Sequence, residues 1–378
     1  MTGYAPRVSV LIGLILGVVL LYAVAPKSEV EKRYEELALG IENAVAMGTV
    51  SGVRVHCHDL DNIDPCLAGY AAQARNNPVV LWLGNSQVHA INRYRAGEET
   101  AAPELHRMLQ DQDRYFLTLS QPNASLQEHY LLFSYLLDKL PVKTLMLPVV
   151  FDDMREEGIR SSLAGTLKDP ITTQVLGRTQ VGQSLIANHS DQDAAGNDMA
   201  ALADTVQERS ERSLNQKLER IWPLWADRPA LRGEIFLSLY LFRNWALGID
   251  PSSTRKMIPG RYAKNREALQ AILDLAGERG IAVLVYLVPL RNDVKVPYDS
   301  AEYAAFKDEV AAMAARPGVR FANLEGLVPA DLWGAKAATT IGGGEELDFM
   351  HFQAGGHRML AAALHAELQA LWAAEAGR

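Results

Sequence analysis

The sequence lacks an excess of basic residues, a phosphate-binding loop and internal repeats. Its 378 residues include 37 Lys and Arg against 45 Asp and Glu, which gives a net charge of −8. A nucleic-acid-binding surface needs clustered positive charge, so this balance argues against a nucleic-acid partner. The glycine run "IGGGEE" (341–346) has no Lys and does not join a strand to a helix, so it is not a phosphate loop. We therefore predict a globular protein without a bound cofactor.

Cysteine is scarce, and the two cysteines stand close together. Cys57 and Cys66 lie in "HCHDLDNIDPCLAG" (56–69). With His56 and His58 they could bind zinc, but the spacing fits no standard zinc motif. We favour a disulfide, which would stabilise the fold by about 2.5 kcal/mol and implies an oxidising compartment outside the cytoplasm. We predict no metal site, and both histidines are then loop residues.

One long uncharged run lies near the N-terminus. As a helix, Val8–Ala25 would span roughly 27 Å, which is enough to cross a bilayer core. The small residues "AVA" (23–25) match a signal-peptide cleavage site, but Pro26 would follow the cut. We therefore predict that residues 1–26 form an uncleaved membrane anchor. The flanking Lys and Arg residues weakly favour a cytoplasmic C-terminal side, but large domains translocate regardless of local charge, so this count does not fix the orientation.

Alternating strand and helix patterns begin near residue 77. Short apolar runs suited to strands buried on both faces alternate with stretches of helical periodicity. The predicted strands are Val79–Leu83, Tyr115–Ser120, Lys143–Phe151, Ile281–Pro289 and Val319–Leu324. The alternation predicts an α/β fold with a five-stranded parallel sheet between helix layers, and a ligand site at the carboxyl ends of the strands. We predict that this domain spans 77–378 and follows a stalk and a disulfide-bearing loop, 27–76.

About a hundred residues between the third and fourth predicted strands fit no strand–helix unit. We predict that this segment, 152–261, is a helical insertion. Its aromatic-rich part "EIFLSLYLFRNWALG" (234–248) is either a buried helix or a face for a membrane or a partner protein. The sequence leaves both interpretations open.

Polar side chains follow the first predicted strand and precede the terminal helix. Ser86, in "GNS", is either part of a helix cap or a nucleophile at a helix N-terminus. Asp348 and His351 stand three residues apart in the final loop. At that spacing a carboxylate can hold one imidazole nitrogen while the other faces a nucleophile. Because both segments lie at strand ends, we predict that the three residues form a catalytic triad.

The order Ser…Asp-x-x-His in an open α/β sheet resembles the SGNH (GDSL-type) hydrolase family. The resemblance covers about residues 79–372 apart from the insertion. It implies a three-layer, flavodoxin-like fold with Ser86 as the nucleophile, His351 as the base and Asp348 as the partner of the base.

The chain departs from the family pattern around the oxyanion hole. Asn85 stands where the family has Asp before the nucleophile. The loop "SQPNAS" (120–125) lacks the family's glycine, so a backbone N–H near Ser120–Asn123 takes its place beside that of Ser86. The loop after the third strand lacks the family's Asn, and Asn123 is the candidate substitute.

These departures resemble those of membrane-anchored SGNH proteins that modify envelope glycopolymers. The resemblance implies a serine acyl-esterase or O-acyltransferase that works through an acyl-serine on a cell-envelope or exported polysaccharide. Such proteins act in the periplasm or outside the cell, beside a membrane-bound O-acyltransferase. The alternative is a non-catalytic accessory subunit that docks on that acyltransferase and binds polymer or acyl donor. Reaction of Ser86 with a serine-directed phosphonate distinguishes the two.

Other polar candidates are predicted to be structural. His89 lies one helical turn beyond Ser86 and could line the pocket, but we favour a surface position. We predict that His357, in the terminal helix, faces solvent or packs. Asp152 and Asp153 follow the third strand, so one of them could lie near the pocket, but we favour paired surface carboxylates.

Overall fold

The structure is a computed structural model that describes most of the chain from residue 44 onward. The described ranges are 44–45, 48–58, 60, 63–73, 77–110, 112–194, 253–337 and 345–377. The predicted anchor Val8–Ala25 and the aromatic-rich segment 234–248 lie outside them and remain predictions. Within the described ranges, no helix has both the length and the apolar character needed to cross a membrane.

A parallel sheet of six strands forms the centre of the described chain. Its strands are β1 (His56–His58), β2 (Val79–Gly84), β3 (Tyr115–Ser120), β4 (Val142–Val149), β5 (Ala282–Leu287) and β6 (Val319–Asn323). They lie in the order β6-β5-β4-β2-β3-β1, and every neighbouring pair is parallel. The predicted α/β class with a parallel sheet is confirmed.

The predicted number of five strands is wrong, because β1 adds a sixth strand at one edge of the sheet. β1 pairs in parallel with β3, and His56 lies opposite Thr118 in that register. Three residues that include two histidines show no hydrophobic period, so the sequence pattern predicts a loop there. The segment nevertheless forms a strand, because its backbone N–H and C=O groups pair with those of β3 at the edge of the sheet.

The predicted disulfide between Cys57 and Cys66 is confirmed. It joins β1 to helix α1 (Asp64–Gln73), with the two Cα atoms 6.2 Å apart. Both cysteines are buried in the core. Because disulfide sulfurs are not thiolates, the zinc interpretation loses two of its four ligands.

Helices cover the sheet on both faces. After α1 they are α2 (Ser86–His89), α3 (Ala101–Leu109), α4 (Leu126–Leu136), α5 (Ser161–Ala164), α6 (Pro170–Leu176), α7 (Gln180–Ala194), α8 (Pro259–Glu278), α9 (Ser300–Ala314) and α10 (Ala354–Ala376). Helix α3 packs against α10, and α4 packs against α8. Right-handed crossovers place these pairs on opposite faces. Every residue of β2, β3 and β5 is accordingly buried.

Several short elements complete the described chain. An antiparallel pair consists of β7 (Trp333–Ala337) and β8 (Glu345–Phe352), and β8 contacts α2. Two-residue strands pair Ala44–Val45 with Ala90–Ile91, and Thr49–Val50 with Val53–Arg54. The 3₁₀ turns are Asp153–Arg155, Gly165–Lys168 and Ala330–Leu332. Two parts of the predicted insertion are described: 152–194 is largely helical, and 253–261 leads into α8.

Candidate active site

Ser86 is the first residue of α2, directly after the exit of β2. Asn85 is the N-cap of this helix, and its Oδ1 accepts a hydrogen bond of 3.1 Å from the backbone N–H of Gln87. The capping role is therefore performed by Asn85, and the Ser86 hydroxyl is left for another partner. The tight turn requires Gly84, because a β-carbon there would lie 2.6 Å from Cγ2 of Val88.

The partner of the Ser86 hydroxyl is His351. Its Nε2 lies 3.0 Å from Ser86 Oγ, and its Nδ1 lies 2.9 Å from Asp348 Oδ2. A ring nitrogen that faces a carboxylate carries the proton, so Nδ1–H donates to Asp348 and Nε2 accepts from the serine hydroxyl. Ser86, His351 and Asp348 are 8%, 7% and 2% exposed. The structure thus brings the three residues of the predicted triad together in a nearly closed environment.

Asp348 is held by hydrogen bonds to both carboxylate oxygens. Oδ1 accepts from the backbone N–H groups of Met350 and His351 at 2.9 and 3.0 Å. Oδ2 accepts from Asn92 Nδ2 at 3.3 Å as well as from His351. Burial alone raises the pKa of Asp348, but the facing imidazole and these bonds outweigh it, so the pKa is lowered. The carboxylate is therefore ionised at neutral pH and fixes the orientation of His351.

Gln87 ties the nucleophile helix to two other segments. Its buried Nε2 donates to the backbone oxygens of Pro289, at 2.9 Å, and Met350, at 2.8 Å. Pro289 follows β5, and Met350 belongs to β8 next to His351. These bonds fix the separation between Ser86 and the histidine.

Ser120, a predicted oxyanion-hole residue, is buried between two histidines. Its Oγ lies 2.7 Å from His56 Nε2 and 2.9 Å from His89 Nδ1. Burial lowers the pKa of His56 to about 3 and the pKa of His89 well below its usual value, and the neighbouring His58 adds to both effects. Both rings are therefore neutral near neutral pH, and the serine hydroxyl donates to one and accepts from the other. The predictions of a surface position for His89 and a loop position for His56 and His58 are wrong.

One backbone donor of the loop after β3 is already occupied, and the predicted role of Asn123 in the oxyanion hole remains a prediction. The backbone N–H of Gln121 donates to the Gly84 oxygen at 3.0 Å and is therefore occupied. Asn123 is exposed and adopts a left-handed backbone with φ of 49°. No hydrogen bond joins Asn123 to the triad in the described part of the chain. The side chain of Gln121, by contrast, is buried.

Asp153 lies beside the nucleophile turn, which is the less favoured of the two positions predicted for this pair of carboxylates. Asn85 Nδ2 donates to Asp153 Oδ2 at 2.9 Å, and Asp153 is buried. Burial raises the pKa of Asp153 well above its usual value; the bond from Asn85 opposes this, and neighbouring carboxylates add to it. Asp152 is paired with Arg255 and accepts from the Tyr298 hydroxyl. The prediction of two surface carboxylates is therefore wrong for Asp153.

His357 packs inside the protein, which is one of the two positions predicted for it. It is fully buried, its Nε2 donates to the Ala90 oxygen at 3.0 Å, and its Nδ1 accepts from the Ala101 N–H at 3.3 Å. Burial lowers the pKa of His357 to about 4. It supports the strand that follows α2 and takes no part in the triad.

Two residues near the triad, Asn92 and Gln87, carry no sequence signal of their role. Isolated amides are common in helices and loops, and the partners of these two lie far away in the chain. No group of three or more metal-ligating side chains occurs among the described residues. No family model and no curated protein matches this chain significantly. The function is therefore argued from the geometry of the site.

Proposed function

We propose that the protein is a membrane-anchored serine acyl-esterase or O-acyltransferase of the SGNH type. The observation that carries the proposal is the hydrogen-bonded series from Ser86 Oγ through His351 to Asp348. A hydroxyl, an imidazole and a buried carboxylate in this arrangement are the groups that acyl transfer through serine requires. The order of β2–β6 adds support, since 2-1-3-4-5 is the order of flavodoxin-like sheets, which bind ligands beyond their carboxyl edge.

In the proposed reaction, Ser86 Oγ attacks the acyl carbonyl while its proton moves to His351 Nε2. The ionised Asp348 stabilises the imidazolium that forms. Collapse of the tetrahedral intermediate breaks the bond to the leaving oxygen, which takes the proton from Nε2, and the acyl group remains as an ester on Ser86. Water or a sugar hydroxyl then gives its proton to Nε2 and attacks the ester, which releases Ser86 with its proton.

The proposed location is the periplasm or the cell exterior. The uncharged run Val8–Ala25 would hold the domain at the bilayer. The Cys57–Cys66 disulfide supports an oxidising compartment. The proposed substrate is an ester of a cell-envelope or exported polysaccharide, and the proposed partner is a membrane-bound O-acyltransferase that supplies acyl groups.

The second candidate is a non-catalytic accessory subunit of such an acyltransferase. It is favoured by the loop after β3, where Asn123 is exposed and the Gln121 N–H is occupied. A protein of this kind would keep the fold but would not form an acyl-serine.

Hydrolysis of p-nitrophenyl acetate by the full chain in detergent tests the enzyme. Ser86→Ala is expected to lower the rate by roughly 10⁴-fold or more, because the nucleophile is lost. Ser134→Ala is the matched control, since Ser134 is a buried serine whose hydroxyl donates to the Tyr130 oxygen within α4. Equal rates for wild type and Ser86→Ala would favour the accessory subunit.

A further inference from the structure

A bulge between β7 and β8 carries the base of the triad and the carboxylate that orients it. One residue of β7, Gly334, lies opposite four residues of β8, 348–351. The residue pairs on either side of the bulge are Trp333 with Phe352, and Ala335 with Leu347. Because bulged residues lack the regular hydrogen bonds of a strand pair, other groups have to fix the width of the bulge.

Arg291, in the loop after β5, donates hydrogen bonds to both sides of this bulge. Its Nη1 donates to the Gly334 oxygen at 2.8 Å, and its backbone N–H donates to the Phe349 oxygen at 3.4 Å. Its Nε and Nη2 donate to the two carboxylate oxygens of Asp293 at 2.8 and 3.1 Å. The planar guanidinium is buried and is bound along two edges, so it forms a rigid link across the bulge.

Gly334 lies against the side chain that binds the carboxylate of the triad. A β-carbon at Gly334 would lie 1.7 Å from Asn92 Oδ1, so the backbone and the amide are in close contact. Asn92 Nδ2 donates to Asp348 Oδ2 at 3.3 Å. The bond from Arg291 to Gly334 therefore reaches Asp348 through one intervening side chain.

The same loop also holds the nucleophile helix α2. Gln87 of α2 donates to the oxygen of Pro289, two residues before Arg291, at 2.9 Å. The backbone N–H of Leu290 donates at 3.0 Å to the oxygen of Glu325, which follows β6. The nucleophile and its base are thus both positioned by the stretch of chain around Arg291.

Stability alone is a poor explanation for the guanidinium. The desolvation of a buried charge roughly offsets its attraction to a carboxylate. The side chain of Asp293 is 32% exposed, and solvent weakens the attraction further. What the pair supplies is direction, because a planar fork that is held by Asp293 can present Nη1 to the Gly334 oxygen in only one orientation.

We propose that Arg291 is a positioning residue: it fixes the width of the bulge and thereby orients Asp348 and His351 toward the nucleophile. It acts through Gly334 and Asn92 and not on the reacting atoms. The inference rests on the proposed acyl-serine chemistry, in which the base must take the proton of the serine. A displacement of about 1 Å at such a base can slow the reaction by roughly 10²-fold.

Acylation kinetics of the full chain in detergent test this role. The burst of p-nitrophenol from p-nitrophenyl acetate is recorded over a range of ester concentrations. Arg291→Gln is expected to lower the maximal burst rate by about tenfold or more. It should change the half-saturating ester concentration by less than about threefold, because positioning affects the reaction and not the binding of a small ester.

Arg316→Gln is the matched control. Arg316 also donates to a backbone oxygen, that of Met313, and to an aspartate, Asp274. It precedes β6 and therefore lies at the opposite edge of the sheet from the triad. The variant should leave the maximal burst rate and the half-saturating concentration unchanged.

A second background separates positioning from a general loss of structure. In Asn92→Ala, Arg291→Gln is expected to lower the burst rate by less than about twofold, because the connection to Asp348 is already missing. A substitution that only loosens the fold would lower the rate by the same factor in both backgrounds. Asp293→Asn weakens the support of the guanidinium and should show the same dependence on Asn92, with a smaller loss of about threefold.

The outcomes are distinct. An Arg291→Gln rate within about twofold of wild type, or an equal loss in the Asn92→Ala background, overturns the positioning role and leaves the acyl-serine proposal intact. A rise in the half-saturating concentration in place of a lower maximal rate also overturns it. If Arg291→Gln does not fold, Asp293→Asn decides by the same criteria. If wild type shows no burst that depends on Ser86, the proposed function fails, and the positioning role fails with it.

Discussion

The amide of Asn85 donates a 2.9 Å hydrogen bond to the buried carboxyl of Asp153, and thereby joins the nucleophile turn to the loop after β4. The same amide caps α2 through its oxygen. A carboxyl group bonded to the residue before Ser86 matters for chemistry, because a negative charge there would oppose the oxyanion that forms on the substrate.

Asp153 is expected to give acylation an alkaline limit. Its pKa is raised, so the group is neutral at low pH and becomes charged as the pH rises through that pKa. The rate of Ser86 acylation should then fall on the alkaline side, and Asp153→Asn should remove the fall. The measurement is the pH profile of the p-nitrophenol burst. Asp152→Asn should keep the limit but move it to lower pH, because the charge of Asp152 helps to raise the pKa of Asp153. An unchanged profile in Asp153→Asn would refute this role.

Gly334 is expected to control the orientation of Asp348 through Asn92. A β-carbon at Gly334 would overlap the side-chain oxygen of Asn92, whose Nδ2 donates to Asp348. Gly334→Ala should therefore lower the acylation rate by about tenfold or more and cost about 1–3 kcal/mol of folding free energy. Gly326→Ala is the matched control, since the nearest atom to its added β-carbon is 3.9 Å away. Equal activity in the two variants would contradict the link.

The Cys57–Cys66 disulfide is expected to stabilise the domain by about 2.5 kcal/mol, because it closes a short loop in the unfolded chain. Urea unfolding of a Cys57→Ala, Cys66→Ala double variant measures this loss. A reductant should lower the stability of wild type by a similar amount and leave the double variant unchanged. Equal stability of wild type with and without reductant would count against the bond.

Buried histidines are expected to make the fold sensitive to acid. Burial lowers the pKa of His56 and of His129 to about 3, against about 6.5 in an unfolded chain. Between these values the unfolded state binds more protons, so stability falls as the pH drops below about 6.5. Each such histidine contributes up to about 1.4 kcal/mol per pH unit.

Unfolding by urea across this pH range measures the slope. His129→Gln should make the loss of stability on acidification shallower, because one protonation site is removed. His365→Gln, on the partly exposed face of α10, is the control and should leave the slope unchanged. A slope that is identical in all three proteins would rule out the histidine explanation.

The sequence predicts those parts of the fold that carry a periodic pattern. The apolar runs at β2 to β6 are long enough to predict buried parallel strands, and the exits of such strands predict where Ser86 lies. The Asp-x-x-His spacing predicts the pairing of Asp348 with His351, because the two residues are close neighbours in the chain, although they lie in strand β8 and not in the predicted loop. These features are local, or follow from the general geometry of parallel sheets.

The remaining features depend on contacts between distant parts of the chain. β1 is too short to show a period, and its order comes from pairing with β3. The sequence around a single histidine such as His89 does not show that the side chain is buried, because its partner Ser120 lies 31 residues away in the chain. The Asn85–Asp153 bond spans 68 residues in the same way.

The most direct measurement of the central claim is covalent labelling of the full chain with a fluorophosphonate, followed by mass spectrometry of the peptides. Attack by Ser86 Oγ, with His351 as base, predicts one phosphonylated residue, Ser86. The label should be absent in Ser86→Ala, and Asp348→Asn should slow labelling by up to roughly 10⁴-fold, because the imidazole loses its correct tautomer. A wild-type protein that is folded but unlabelled at Ser86, or labelled equally fast in Asp348→Asn, would contradict the catalytic triad.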